Sequence, residues 1–170
     1  MKWFRVALEV IGAASLLAVV GFGSWNLYSN SSERVNQASR KDALFILNWG
    51  GLSTDQDYRI ISSYESSRSF TGDHLDYYCI ELPKFEVAEW AKSQWHDGPE
   101  TDSLLANALE LAVNDAHQHG GCIPSVKEAN SAAMKIMFWQ VVLHDRQAMA
   151  ADIILYDSQK QMLYYVSFKT

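Results

Sequence analysis

Clustered positive charge is the first thing this sequence lacks. Lysine and arginine number 14 against 20 aspartates and glutamates, a formal net charge of −6 at pH 7. Phosphate recognition needs grouped Lys and Arg, so nucleic acid is excluded as a partner. Cysteine and proline are also scarce, at two and three residues. Neither Cys79 nor Cys122 lies in a CxxC, which removes thioredoxin-type exchange. The two are a candidate disulfide closing a loop of roughly 40 residues, and the alternative is a pair of small buried hydrophobes. There is no GxxxxGK[ST], no GxGxxG after a strand, no HExxH and no GxSxG. Repeats, long linkers and low-complexity segments are missing too. No motif names a chemistry.

What the chain does have is an apolar beginning. Val6–Tyr28 is an almost unbroken hydrophobic run of about 23 residues, preceded by Lys2 and Arg5 and carrying Trp3, Trp25 and Tyr28 near its ends. A bilayer is crossed by about 20 apolar residues, whereas a signal peptide has a core of roughly 7–15 followed by a small-residue cleavage site. The cleavage candidates Gly21-Phe22-Gly23 and Ala13-Ala14-Ser15 are badly placed, so the expectation is an uncleaved single-pass signal anchor over residues 1–30. Glu9 is the misfit, and it stands four residues from Arg5, close enough to pair or snorkel. Lys2 and Arg5 favour a cytoplasmic N-terminus and an extracytoplasmic main domain, periplasmic in a Gram-negative cell. Lys2, Arg5 and Glu9 are the only charged residues up to Asn30, which leaves 12 basic and 19 acidic groups in the remainder. Residues 31–41 read as a polar stalk and 42–170 as one domain of ordinary size. Asn30-Ser31-Ser32 matches a glycosylation sequon.

Periodicity sketches the domain. Ser39 suits a helix N-cap, and Ala43–Trp49 continues as a helix or as a buried strand before Gly50-Gly51. Tyr58–Ser67 and Leu75–Leu82 read as a β-hairpin around the turn formers Gly72 and Asp73. A helix is expected over Lys84–Trp95, after Pro83. Asp102–His119 carries an apolar stripe through Leu105, Leu109, Ala112 and Ala116 with a polar back, the pattern of a helix packed on a core. Ser125-Val-Lys-Glu128 is a capping box. Met134–Leu143 is apolar on both alternating faces, which suggests a central strand. Ala151–Asp157 and Met162–Lys169 form a hairpin with one face buried: Met162, Tyr164, Val166 and Phe168 inward, Tyr165, Ser167 and Lys169 outward. The expected fold class is α+β: a transmembrane helix, then an antiparallel sheet in the order ββ-ααα-βββ with helices packed on it.

The best candidate site is the hairpin tip, Ser66–His74. It gathers Arg68, Ser69, Thr71, Asp73 and His74 in one turn, where a guanidinium and backbone amides can hold an anion or His74 can polarise a hydroxyl. The competing reading is a turn whose polar side chains satisfy their own backbone. Asp115-Ala-His117-Gln-His119 resembles a metal motif, but i and i+2 point about 200° apart on a helix, so no metal or cofactor is expected. His96-Asp97 and His144-Asp145 lie at element ends, away from any recognisable nucleophile. The tyrosine doublets 77/78 and 164/165 each place one ring on an outward strand face, and that aromatic surplus suits a protein contact. The expected function is therefore a membrane-anchored, non-catalytic interaction domain of accessory, assembly or inhibitor type. It would be held to the membrane by Val6–Tyr28 and bind another protein. The alternatives are a ligand-binding or sensory module using the Ser66–His74 tip and the neighbouring sheet face, and a small hydrolase.

Overall fold

The structure, a computed structural model, describes residues 2–30, 32–69 and 71–170. Two compact units divide the chain, one ending at Ser32 and the other beginning at Glu33. The first is a single helix, α1, over Lys2–Asn30. Among the described residues, no helix is long and apolar enough to cross a membrane. The transmembrane helix and single-pass anchor expected over Val6–Tyr28, and the cytoplasmic and extracytoplasmic placement built on it, are therefore not supported. Glu9 interrupts the run, and a carboxylate is costly inside a bilayer. The sequon includes Ser31, which lies outside the described residues.

The second unit is an α+β domain built on one seven-stranded antiparallel sheet. In chain order it contains β1 (Arg34–Val35), α2 (Arg40–Trp49), β2 (Arg59–Glu65) and β3 (His74–Glu81). A 3₁₀ turn (Glu89–Gln94) follows, then β4 (His96–Asp97), α3 (Ser103–His119) and α4 (Val126–Ala129). β5 (Met134–His144), β6 (Gln147–Asp157) and β7 (Met162–Lys169) complete it. The strands lie side by side as β1-β2-β3-β7-β6-β5-β4. Both hairpins read from the sequence are present, and β7 sits at the centre, between β3 and β6.

Helices cover both sheet faces. α3 starts where Asp102 accepts from the amides of Leu104 and Leu105 at 2.8 and 3.2 Å, the N-cap role of a carboxylate. Its buried stripe, Ala108, Leu109, Ala112, Val113 and Ala116, packs on Tyr77, Ile136, Ile153, Leu155, Tyr164 and Val166. The loop after it comes close to the sheet: a Cβ on Gly120 would lie 2.1 Å from the Tyr77 hydroxyl, which itself donates to the His119 carbonyl. On the opposite face α2 buries Ala43, Ile46 and Leu47 against Tyr78, Ile80, Ile154, Tyr156, Leu163 and Tyr165. Asp42 accepts from the Ser39 amide at 2.7 Å to start α2, and Gly51 takes the left-handed φ of +63° just beyond it, a conformation open to glycine. The helix reading of Ala43–Trp49 is thus the one realised.

Other expectations change. The outward tyrosines are not outward: Tyr78 and Tyr165 are as buried as Tyr77 and Tyr164, at 2–4% exposure, because α2 covers their face. The helix expected over Lys84–Trp95 shrinks to the 3₁₀ turn. Tertiary bonds hold this segment against the end of α2, with the Ala88 amide donating to the Gly51 carbonyl and the Trp95 indole to that of Gly50. β5 is not a central strand. β4 pairs only with Lys135 and Ile136, so among the described residues the rest of β5 is a sheet edge, where Trp139, Val142 and Leu143 are exposed. Two residues of the expected stalk, Arg34 and Val35, pair with Glu65 and Tyr64 in the sheet. Cys79 and Cys122 are bridged, with Cα atoms 6.3 Å apart, tying β3 to the loop that follows α3.

Candidate functional site: a cleft between the hairpin tip and α2

α2 covers only part of its sheet face, and the rest is the floor of a cleft. Antiparallel pairing aligns side chains across strands, and alternate residues share a face. Asp76 on β3 is opposite Ser167 on β7, Ser167 opposite Asp152 on β6, and Asp152 opposite Gln140 on β5. One step outward lies a second row of His74, Lys169, Ala150 and Val142. One step inward, Tyr78, Tyr165, Ile154 and Met137 are the residues on which α2 packs. Phe45 and Trp49 of α2 form one wall and Arg68 from the hairpin tip another. Together they enclose about 560 Å³, within the range of small-molecule sites.

The tip divides its polar residues between two jobs. Ser69, Thr71 and Asp73 satisfy one another. The Thr71 hydroxyl donates to Asp73 Oδ2 at 2.5 Å, the Ser69 and Thr71 hydroxyls lie 2.8 Å apart, and the Asp73 amide donates to Ser69 Oγ at 2.8 Å. These three build the turn, as ST- and Asx-type side chains do. Arg68 and His74 leave that network for the cleft. Of the five residues singled out in sequence, two therefore line the site and three shape the loop that carries them. Phe70, between them, lies outside the described residues.

Arg68 Nη2 meets Asp76 Oδ2 at 2.6 Å. Asp76 is buried, and among the described residues its other oxygen, Oδ1, has no hydrogen-bond partner. Loss of solvation pushes this carboxyl up from its ordinary range, and the hydrogen bond and charge of Arg68 pull the other way without cancelling it. Beside it, the Tyr165 hydroxyl donates to Asp152 Oδ1 at 2.7 Å. Burial first, and the Asp152 charge second, push that phenol far above its usual value. Lys169 Nζ donates to the Thr71 carbonyl at 3.0 Å, joining the tip to the end of β7.

His74 is held from both sides. Its Nδ1 lies 2.9 Å from the Gly72 carbonyl and its Nε2 3.0 Å from Ser167 Oγ. A carbonyl only accepts, so Nδ1 carries the hydrogen. In the neutral imidazole Nε2 is then the acceptor, and the Ser167 hydroxyl donates to it.

Two further histidines bond to backbone carbonyls. His117 and His119 reach separate carbonyls, of Ile123 and Asp115, so the HxH spacing brings no shared ion. Among the described residues, no cluster of three His, Cys, Asp or Glu is placed to hold a metal. A second groove, about 490 Å³ near Tyr58, has its charges already paired: Arg40 with Asp57 and Arg59 with Glu81.

Asp76, Asp152 and Ser167 were not sequence candidates. Each stands alone among apolar neighbours in a strand, as in Leu75-Asp76-Tyr77, Ala151-Asp152-Ile153 and Val166-Ser167-Phe168. A polar side chain in a strand buried on both faces is the signal that would have marked them. No protein-family profile, curated protein or solved structure matches the chain.

Proposed function

We propose that the domain is a ligand-binding module whose site is the cleft between the Ser66–His74 tip, the β3-β7-β6 face and α2. The observation that carries this reading is Asp76 Oδ1, a buried acceptor without a partner among the described residues, in a residue that lines a cavity of about 560 Å³ with Arg68, His74 and Ser167. Buried polar atoms are ordinarily satisfied, and an exception calls for a reason. The cleft is two-sided in character. Arg68, His74, Lys169 and Ser167 supply polar contacts, while Phe45, Trp49, Val142 and Met149 supply apolar ones. That combination suits a small molecule with a carbonyl- or carboxylate-bearing head and an apolar body.

The test is a thermal-shift screen of the purified full chain against small carboxylates and carboxylic esters with apolar substituents. Hits that raise the melting temperature of the wild type are expected to lose their effect in Arg68→Ala/His74→Ala, while the variant keeps a cooperative transition. Hits that shift the variant equally contradict the reading. A second reading, a non-catalytic protein-interaction domain, is favoured by the open edge of β5. There Trp139, Val142 and Leu143 stay 40–43% exposed, and unpaired strand edges recruit partner strands. The tyrosine doublets no longer support it, since both cores absorb them.

A further inference from the structure

We propose that Ser167 and His74 form a nucleophile–base pair in the cleft, acting on carboxylic esters with a small apolar group. This rests on the reading of the cleft as a ligand site and adds chemistry to it. An activated hydroxyl is recognised by a base within hydrogen-bond reach and by a third group that orients the base. All three are present. Ser167 Oγ lies 3.0 Å from His74 Nε2, and the Gly72 carbonyl, 2.9 Å from Nδ1, fixes the tautomer that leaves Nε2 free to take a proton. A backbone carbonyl here fills the place that a carboxylate holds in a Ser-His-Asp triad.

The positions are set by rigid elements. Ser167 is in the central strand, flanked by β3 and β6, and is buried apart from the cavity it lines. His74 opens β3, where the turn that places Gly72 ends. Lys169, one register step along the same face, brings an ammonium to the cavity, opposite in sign to the charge of a developing oxyanion. Phe45, Trp49 and Val142 offer apolar surface to the acyl or alkyl group. Sequence inspection passes over the pair because its nucleophile stands in a strand and not in a GxSxG elbow.

The step balances without a further reagent. Ser167 Oγ forms a bond to the carbonyl carbon as its proton moves to His74 Nε2. The C–O bond to the alcohol breaks and the departing alcohol takes that proton. Water then adds to the acyl-serine, again giving a proton to Nε2, and the serine leaves with it as the carboxylic acid is released.

An alkyl fluorophosphonate tests this directly, because Ser167 Oγ would displace fluoride from phosphorus with the same proton transfer. The purified full chain is treated with the probe and digested, and the adduct is located by mass spectrometry. The expected result is modification at Ser167, absent in Ser167→Ala and slowed about 10²-fold or more in His74→Gln, the scale of general-base assistance. Equal labelling in wild type and folded His74→Gln overturns the proposal. So does a wild type with no adduct at Ser167, and if cleft ligands still raise its melting temperature, the binding reading survives alone. Should His74→Gln not fold, the pH profile of wild-type labelling decides. Arg68, Asp76, Asp152, Lys169 and Tyr165 share the cavity, and general-base assistance requires labelling to fall on acidification. A flat profile overturns the pair.

Discussion

Replacing Tyr165 by alanine is expected to lower the unfolding free energy by about 3–5 kcal/mol, the usual cost of truncating a buried aromatic. The ring is 4% exposed and touches Phe45, Trp49 and Tyr78, with centroids 5.3, 6.1 and 6.1 Å away. Its hydroxyl also donates to Asp152, so the truncation strips a hydrogen bond from a carboxylate as well as creating a void. Tyr164, one residue earlier, faces α3, and burial pushes its hydroxyl up to about 12. Tyr164→Ala is expected to cost a similar amount. Denaturant unfolding of the two variants measures both. Comparable losses show that the sheet is buried on each face, and a cost below about 1 kcal/mol for Tyr165→Ala, the range of an exposed site, would mean that α2 does not cover its side.

Removal of the disulfide is the second large effect. Cys79 and Cys122 are 43 residues apart, and closing a loop of that length in the unfolded chain is worth up to about 4 kcal/mol in the chain-entropy account, within a usual range of about 2–4 kcal/mol. Cys79 is fully buried in β3, against the face that α3 covers. Unfolding curves of the wild type and of Cys79→Ala/Cys122→Ala should differ by that amount, and the wild type under reductant should approach the variant. Midpoints unchanged by reductant or by the double replacement would contradict the bridge.

Much of the secondary structure was legible because single residues announce it. Asp102 before an apolar stripe, the Ser125–Glu128 box and the Gly72-Asp73 turn all carry local signals, and the corresponding elements begin or turn there. The layering was not legible. Alternation in Met162–Lys169 looks like one buried face, because Tyr165, Ser167 and Lys169 are chemically plausible in water. Only the docking of α2 shows that the first of them is core. Ala88, Ala91 and Trp95 have helical spacing, yet hydrogen bonds from Ala88 and Trp95 to the glycines ending α2 override it. Trp139, Val142 and Leu143 suggested a central strand, but how short β4 is cannot be read from β5.

The site was half legible for the same reason. Arg68 and His74 stand together in sequence with other polar residues, and a cluster draws notice. Asp76, Asp152 and Ser167 are scattered over three strands, and register alone aligns them. Sequence also could not separate the residues that stay in the turn from those that leave it. Ser69, Thr71 and Asp73 bond to one another, while Arg68 reaches Asp76 and His74 reaches Ser167.

The chemistry of the cleft turns on one hydrogen-bond direction, and the imidazole nitrogen resonances of His74 in the ¹⁵N-labelled full chain report it. At a pH where the ring is neutral, Nδ1 is predicted to resonate as a protonated nitrogen and Nε2 as a bare acceptor, with the Nε2 signal shifting in Ser167→Ala. A neutral His74 protonated at Nε2 would contradict the account, because Ser167 would then be the acceptor and the ring could take no proton from it.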